Sequence, residues 1–488
     1  MIYDNQFNTD PLHPLPRQSQ TVSVVVAKPT RVCNADCQYC SSPPLEEMGS
    51  DWEPEWNFEK FKLYFNKVYP SMMNGAYWIW HGGEPMLMGP EFYIKCHEYA
   101  QDQIKITGRQ IYFSMQTNLL GYSKKKWYKV FSEIFQGSIS TSFDPDEAQR
   151  TMKGNAQTYS RVFKRVMGNI LEDGFRPMVI GVYTEATAHM MGKMYDWSQS
   201  LGNKSFPLRF NYCHPTGRIE SGGEAISPIT YANELLSVYN RWIKDAPSFT
   251  ITPLDQMFKK VIGMDGEGHC PWTKKCGGRF LEIEPNGDVY NCSEFADLGN
   301  KYCFGNLSSD ITVEQMLNSK PALQIKRRSI QVPVSCTDCE HFSDCEGGCM
   351  RDSALYDHGL YGKFHYCKSW KMVFTRIKQS IISGEADKIL DIYGVDKVKT
   401  KNFVLQTMQS YFYFSENEVE VIKKEGSINS FGFGDNYFEL PSGSNYNAAG
   451  EYLPLKKDAI ELIYKDPEIN KYTNINNKLK GIKLILEN

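Results

Sequence analysis

The sequence predicts an α/β protein: a partial parallel β/α barrel, then a cysteine-rich domain, then a C-terminal α+β extension. Three observations carry this expectation. Six apolar, β-branched runs recur in the first half, each followed by a helix-like or polar stretch. Cysteines crowd into Gly-rich segments between Cys270 and Cys367. Beyond about residue 376 the pattern becomes mixed, with no internal repeat. At 488 residues the chain exceeds one ordinary domain. The expected division is an N-terminal arm (1–20), the barrel (21–235), a bridging region (236–262), the cysteine-rich domain (263–375) and the extension (376–488).

The six runs are Thr21–Lys28, Gly75–Trp80, Gln110–Met115, Ser138–Ser142, Pro177–Tyr183 and Leu208–Cys213. Between the first two, Asn57 is placed to cap a helix, and Phe58, Phe61, Phe65 and Val68 follow +3, +4, +3 spacing along one face. Strands alternating with helices imply parallel β–α units, and six of them fit an incomplete TIM-like (β/α)6 barrel. Chemistry in such barrels sits on loops at the C-terminal strand ends. In the extension, Tyr411–Phe414 and Glu418–Ile422 read as strands, and Gly426–Ala449 as loop.

A net charge of −3 provides no field for gripping nucleic acid or an anionic membrane. No apolar run is long enough to span a bilayer. Met1–Thr21 lacks the apolar core of a signal peptide, which makes the cytoplasm the expected location. In a reducing compartment the 14 cysteines are metal ligands or reactive thiols rather than disulfides.

Cys33-Asn-Ala-Asp-Cys37-Gln-Tyr-Cys40 directly follows the first predicted strand. A [4Fe–4S] cube wants one ligand per iron, so three cysteines leave one iron open. Zinc would need a fourth thiolate or imidazole nearby, and the loop offers none. This Cys-x3-Cys-x2-Cys run, with Tyr39 before its last cysteine, resembles the radical SAM superfamily. The resemblance implies S-adenosyl-L-methionine (AdoMet) on the open iron, reductive cleavage of its sulfonium, and a 5′-deoxyadenosyl radical. Three further stretches agree. Gly82-Gly83-Glu84-Pro85 matches the family's GGEP motif, which contacts the methionine amino group. Gln116-Thr117-Asn118 resembles its TNG-like segment. Ser142-Phe143-Asp144-Pro145 stands where relatives carry Ser-x-Asp-Gly, whose serine meets the cofactor carboxylate; Pro145 replaces the glycine. The resemblance thus implies Tyr39, Gly82, Gly83, Glu84, Pro85, Gln116, Asn118 and Ser142 as AdoMet-binding residues.

The second cysteine field runs Cys270-x5-Cys276, Cys292 with Gly287 five positions before it, then Cys336-x2-Cys339-x5-Cys345-x3-Cys349, and Cys367. This is similar to the SPASM extension of radical SAM enzymes. By that resemblance Cys270, Cys276, Cys292 and Cys349 hold one auxiliary cluster, and Cys336, Cys339, Cys345 and Cys367 another, making three [4Fe–4S] clusters in all. A pair of zinc ribbons is the alternative that Cys336 and Cys339 would allow. Cys96, Cys213 and Cys303 are left over. The first is expected to be a buried apolar residue; Cys213 ends the sixth strand, as a packed thiol or an active-site one.

SPASM enzymes mostly modify peptides or proteins, so the resemblance implies a radical oxidoreductase acting on a ribosomally made precursor peptide. Sulfatase-maturating relatives carry an aspartate base directly after the third cysteine of this field. Here Ser293 follows Cys292, and Glu294 is one further on, where it would point elsewhere on an extended chain. An oxidative peptide crosslink, of carbon–carbon cyclophane type or next a thioether, is therefore favoured over formylglycine formation. Epimerisation, with Cys213 as hydrogen donor, is a further alternative, and a non-catalytic iron–sulfur electron carrier is another. Glu294 and Cys213 are the candidate catalytic residues. A flavodoxin- or ferredoxin-type donor would supply electrons. The segment before Cys33 is too short for a leader-binding domain, so a separate leader-binding protein, the catalytic body or a sheet edge at Tyr411–Phe414 would bind the peptide.

Replacing Cys33, Cys37 and Cys40 together by Ala should leave about eight irons per chain in two clusters, by four-iron arithmetic. Iron analysis of the purified triple variant checks this, and a full parental iron content would refute the assignment.

Overall fold

The first strand, β1 (Val22–Ala27), reads Val-Ser-Val-Val-Val-Ala and lies largely buried, as a strand covered on both faces requires. The computed structural model describes residues 22–41, 55–145, 149–219, 225–264, 270–336, 339–356, 358–414, 419–424, 427–433, 436–439 and 482–486, with side chains to residue 407. Five more strands follow at the expected places: β2 (Met72–Trp80), β3 (Ile111–Gln116), β4 (Ile139–Ser142), β5 (Met178–Tyr183) and β6 (Leu208–Tyr212). All six pair in parallel in sequence order. Helices run between them. In Phe58–Val68, Asn57 accepts a hydrogen bond from the Lys60 amide, while Phe61, Phe65 and Val68 are buried, with Tyr64 beside them. Each such side chain contributes about 1.5–3 kcal/mol by leaving water.

The sheet does not end with the barrel. A short β7 (Ile251–Thr252) pairs with β6 in parallel. On the other side β8 (Phe280–Ile283) pairs in parallel with β1, from Val24↔Phe280 to Ala27↔Ile283. Then β9 (Asp288–Tyr290) and β10 (Gly305–Asn306) continue antiparallel, giving one ten-stranded sheet in the order β10-β9-β8-β1-β2-β3-β4-β5-β6-β7. The cysteine-rich region is thus built onto the barrel's first strand. The boundaries expected at 235/236 and 375/376 fall inside single helices, Pro228–Asp245 and Cys367–Ser383. These two helices pack together, with Tyr239 and Ser380 hydroxyls 2.5 Å apart and the Ser369 hydroxyl donating to the Pro228 carbonyl at 2.5 Å. Apolar residues of the cysteine-rich region, including Trp272, Phe295, Phe304, Met316, Phe364 and Trp370, join the barrel residues in one buried core.

Two expectations for the extension are corrected. Tyr411–Phe414 is no strand: it ends the helix Lys397–Phe414. Adding residues to a formed helix is easier than starting a new element, so the aromatic run continues what precedes it. The sheet edge expected there is not formed. Ser427–Phe433 (β12) and Asn436–Glu439 (β13) are strands where loop was expected. They pair antiparallel to each other and β12 to β11 (Val419–Lys424), which takes β14 (Ile482–Leu486) in parallel on its other side. Pairing supplies backbone partners that a Gly- and Ser-rich composition conceals. Residues 440–449, the arm 1–20 and the turn after Pro145 lie outside the described residues. Among the described residues no helix is long and apolar enough to cross a membrane.

The β1–β8 seam carries buried charge. Lys28 Nζ lies 3.0 Å from Glu284 and pairs with Glu282; Arg31 Nε donates to Glu284 at 2.8 Å and its Nη2 pairs with the same carboxylate. Burial opposes the charge on Glu284, but Lys28 and Arg31 outweigh it and hold its carboxyl below the usual range. Burial pushes the Glu282 carboxyl well up, against the pull of Lys28. Because Glu284 is fully buried, Glu284→Gln strands cationic charge out of water. The variant should lose about 3–5 kcal/mol, read as a lowered denaturant midpoint. A parental midpoint would show the seam to be energetically silent.

Candidate iron–sulfur and radical site

Directly after β1 the chain turns into the loop bearing Cys33, Cys37 and Cys40, and backbone bonds from other strand ends hold it there. Asp36 N donates to Thr151 O at 2.9 Å and Gln38 N to Gln149 O at 2.8 Å. Asn118 Nδ2 donates to Asn34 Oδ1 at 2.6 Å. Arg218, after β6, donates through its amide to Cys40 O at 3.1 Å and through Nη1 to Cys37 O at 2.8 Å. Gly217 permits that approach: its φ is +64°, and a Cβ there would lie 2.1 Å from the Cys40 carbonyl oxygen.

The Gly82–Pro85 loop lies on the other side. Gly83 N donates to Thr30 O at 2.9 Å and Glu84 N to Val32 O at 2.8 Å. A Cβ on Gly83 would sit 2.4 Å from two backbone oxygens, so only glycine allows this contact. The Glu84 carboxylate turns inward, accepting from Met86 N at 2.9 Å, Thr117 Oγ1 at 2.6 Å and Asn118 N at 2.7 Å. Gln116 ends β3 and Ser142 ends β4. Buried Tyr39 donates its hydroxyl to Asp144, which also receives Val182 N at 2.8 Å and Arg150 Nε at 2.8 Å.

The later cysteines gather into the two expected sets. Cys336, Cys339, Cys345 and Cys367 line one small cavity with Phe364 and Trp370. In the other set, Cys270 acts electrostatically on Cys276, Cys292 and Cys349. Burial pushes the thiols up: Cys33 and Cys276 to about 12, with neighbouring thiols adding to it, and Cys270 to about 11, with Asp352 and Glu294 adding to it. Among the described residues no three His, Cys, Asp or Glu side chains converge as ligands of a single metal ion would. Four sulfurs around one cavity instead suit a multi-iron group, so the donor sets fit the iron–sulfur cubes that the motifs imply. Of the remaining cysteines, Cys96 is buried in the helix Pro90–Thr107. Cys213 is buried, its thiol donating to the His214 carbonyl at 3.7 Å. Cys303 donates to Gly305 O at 3.5 Å.

Glu294 is placed differently from the extended-chain expectation. A helical turn, Ser293–Ala296, begins right after Cys292, and the turn redirects the side chain. The Glu294 carboxylate pairs with buried Arg351 and remains 47% exposed, although its charge acts on Lys28 and His81 at the ends of β1 and β2 and on His214 after β6. Its charge therefore reaches the C-terminal ends of β1, β2 and β6. Arg351 also donates through Nη1 to Asp352 at 3.0 Å, Tyr212 donates to Asp352 at 2.7 Å, and His214 Nε2 lies 3.5 Å from it. Burial lowers His81 to about 4 and lowers His214 as well, so both are neutral near pH 7. The sequence reading passed over Arg150, Arg351, Asp352 and His214. The adjacent charges Arg351-Asp352 in a cysteine-rich, short-element region were a usable signal; nothing local marked Arg150.

A partial barrel with a three-cysteine loop, joined through its sheet to a second cysteine field, defines a class of iron–sulfur enzyme, and comparison with known proteins agrees. Residues 270–340 match SPASM, the iron-sulfur cluster-binding domain. The chain is 26% identical over 381 residues to the serine-type anaerobic sulfatase-maturating enzyme of Bacteroides thetaiotaomicron, covering 72% of this chain and 89% of that one. To the cysteine-type enzyme of Clostridium novyi it is 22% identical over 375 residues, covering 73% and 95%. In fold it resembles anSMEcpe solved with bound AdoMet (TM-score 0.62, 21% identity, 75% of this chain and 99% of that one). It also resembles Streptococcus suis SuiB bound to S-adenosylmethionine (TM-score 0.51, 15% identity, 72% and 78%). The chain thus carries a SPASM match and is similar, in sequence to anaerobic sulfatase-maturating enzymes and in fold to anSMEcpe and SuiB.

Burial raises the Glu84 carboxyl to about 7 despite its three donors. A folded value above the unfolded one of 4.5 gives stability that is full below pH 4.5 and lost as pH rises through 7. Relative to Glu84→Gln, the parent should therefore lose about 2–3 kcal/mol between pH 5 and 8. Denaturation at both pH values checks this, and parallel pH profiles would refute it.

Proposed function

We propose that this protein is an AdoMet-dependent radical maturase that oxidises a ribosomally made peptide by two electrons and closes a crosslink in it. The reading rests on one observation: the three-thiol loop follows β1 directly, and the charge of the Glu294 carboxylate acts on Lys28 at the end of that same strand. Cys33, Cys37 and Cys40 would hold the cluster that carries AdoMet. The two sets of four would hold auxiliary clusters, three in total. When bound, these groups supply the electron that opens the sulfonium bond and accept the one leaving the substrate.

The remaining roles belong to the chain itself. With the Glu84 carboxylate committed to Thr117, Asn118 and Met86, the Gly82–Pro85 loop offers its backbone to the methionine amino group. Gln116, Asn118 and Ser142 edge the AdoMet pocket at the ends of β3 and β4, and Tyr39 backs the cluster loop. Glu294 accepts at its carboxylate the proton given up as the substrate is oxidised, with Arg351 fixing its position. Neutral His81 and His214 follow β2 and β6 directly, within reach of the Glu294 charge. Cys213 packs as a structural thiol, which leaves epimerisation without a specific support. A flavodoxin- or ferredoxin-type protein would deliver electrons. A separate leader-binding protein or the barrel body would hold the peptide, since Tyr411–Phe414 is helical. A carbon–carbon link between an aromatic ring and an aliphatic carbon is the finer reading, by analogy alone.

Formylglycine formation is the second reading. It is favoured by the activity named for the B. thetaiotaomicron and C. novyi relatives, and by the Glu294 charge reaching the strand ends despite Ser293. The two differ in product.

Anaerobic incubation with dithionite and AdoMet should release 5′-deoxyadenosine, and its absence would leave only an electron carrier. A peptide product lighter by two hydrogens and unreactive to aldehyde reagents supports the crosslink; an aldehyde supports formylglycine. Glu294→Gln should slow peptide product formation about 100-fold or more. Parental turnover in that variant would remove Glu294 as the base.

A further inference from the structure

We infer that Arg150 is a positioning residue that sets the reduction potential of the cluster held by Cys33, Cys37 and Cys40, through its guanidinium against the Cys37 sulfur. The inference rests on the cluster assignment proposed above. Arg150 Nη1 approaches Cys37 Sγ to 3.7 Å. Its Nε is committed to Asp144 at 2.8 Å, and its guanidinium lies over the Tyr39 ring, 5.2 Å from the centroid. Asp144 is itself fixed by Val182 N and the Tyr39 hydroxyl. Residues 149 and 151 bond through their carbonyls to the cluster loop. The side chain is 11% exposed, so it has little room to swing away.

An ion pair usually cancels much of its own field, but this one is oriented. The carboxylate meets Nε, while Nη1 points at the sulfur, so the positive end of the pair faces the cluster loop. A nearby positive charge and an N–H aimed at a ligand sulfur both favour the cluster state that carries more negative charge, the reduced one. Arg218, at the same loop, donates to the Cys37 carbonyl, and its charge adds to that of Arg150 at the Cys37 thiol. Arg150 would thus decide how strong an electron donor the protein needs.

The test is an EPR-monitored redox titration of the iron-loaded full chain, following the signal that changes on AdoMet addition. At a fixed potential Arg150→Met should lower the reduced-to-oxidised ratio about tenfold, which is about 59 mV for one electron. Arg150→Lys keeps the charge but cannot bridge Asp144 and Cys37 together, and should lower the ratio by about threefold. A parental midpoint in Arg150→Met with full iron overturns the inference. Should that variant fail to take up iron, a parental midpoint in Arg150→Lys overturns it equally. An unaltered protein with no AdoMet-responsive signal would instead overturn the cluster assignment beneath it.

Discussion

Lys28 and Arg31 leave the end of β1 into a buried space that β8 fills with Glu282 and Glu284. Charges taken out of water are costly unless each meets a partner with good geometry, so this cluster tolerates little displacement of one strand against the other. The parallel register of β1 and β8 is therefore held by more than backbone bonds. Trp56 Nε1, donating to the Pro285 carbonyl at 3.2 Å, and the Lys28 amide, donating to Ile283 O at 2.9 Å, close the same seam. Two functional segments hang from it. The three-cysteine loop begins two residues after Arg31, and Cys292 follows β8 and β9 within one short meander. The seam thus fixes where the two cysteine fields stand relative to each other.

Around that seam, irregular backbone does the positioning. The Cys33–Cys40 loop has little regular structure, and its amides and carbonyls find partners at residues 149–151, 217–218 and the Gly82–Pro85 loop. Buried loops must satisfy their polar backbone in this way. Glycine at 83 and 217 allows the close approach, and the inward carboxylate of Glu84 ties the ends of β2 and β3 together. Rigidity here matters for chemistry, because a reactive species made at the strand ends must meet its substrate and little else.

Burial of the cysteines has a second consequence. Burial raises these thiols above their ordinary value, so loading iron is coupled to release of their protons. The cysteine-rich region nevertheless packs Trp272, Phe295, Phe304 and Trp370 into one core with the barrel and shares the barrel's sheet. Its fold is supported by packing as well as by coordination, more than a domain stapled by metal alone would be.

The sequence by itself determined the chemistry-bearing skeleton. Cysteine spacing, the Gly82–Pro85 stretch and the six β-branched runs are local patterns, and each needs only near neighbours to be read. Glu282 and Glu284, alternating on one strand, could not announce Lys28 and Arg31 some 250 residues away, because pairing across a sheet leaves no trace in either segment alone. Tyr411–Phe414 looked like a strand because aromatic composition is compatible with both states, and the preceding helix decided between them. The direction of Glu294, a candidate base, is read from the sequence on an extended chain, whereas a helical turn follows Cys292 and the carboxylate pairs with Arg351. Tertiary structure alone decided that β8 extends the barrel sheet, that Arg150 reaches Cys37, and that Arg351 gathers Glu294 and Asp352. Those are long-range electrostatic and packing choices, and they exist only once distant segments share a space from which water has been removed.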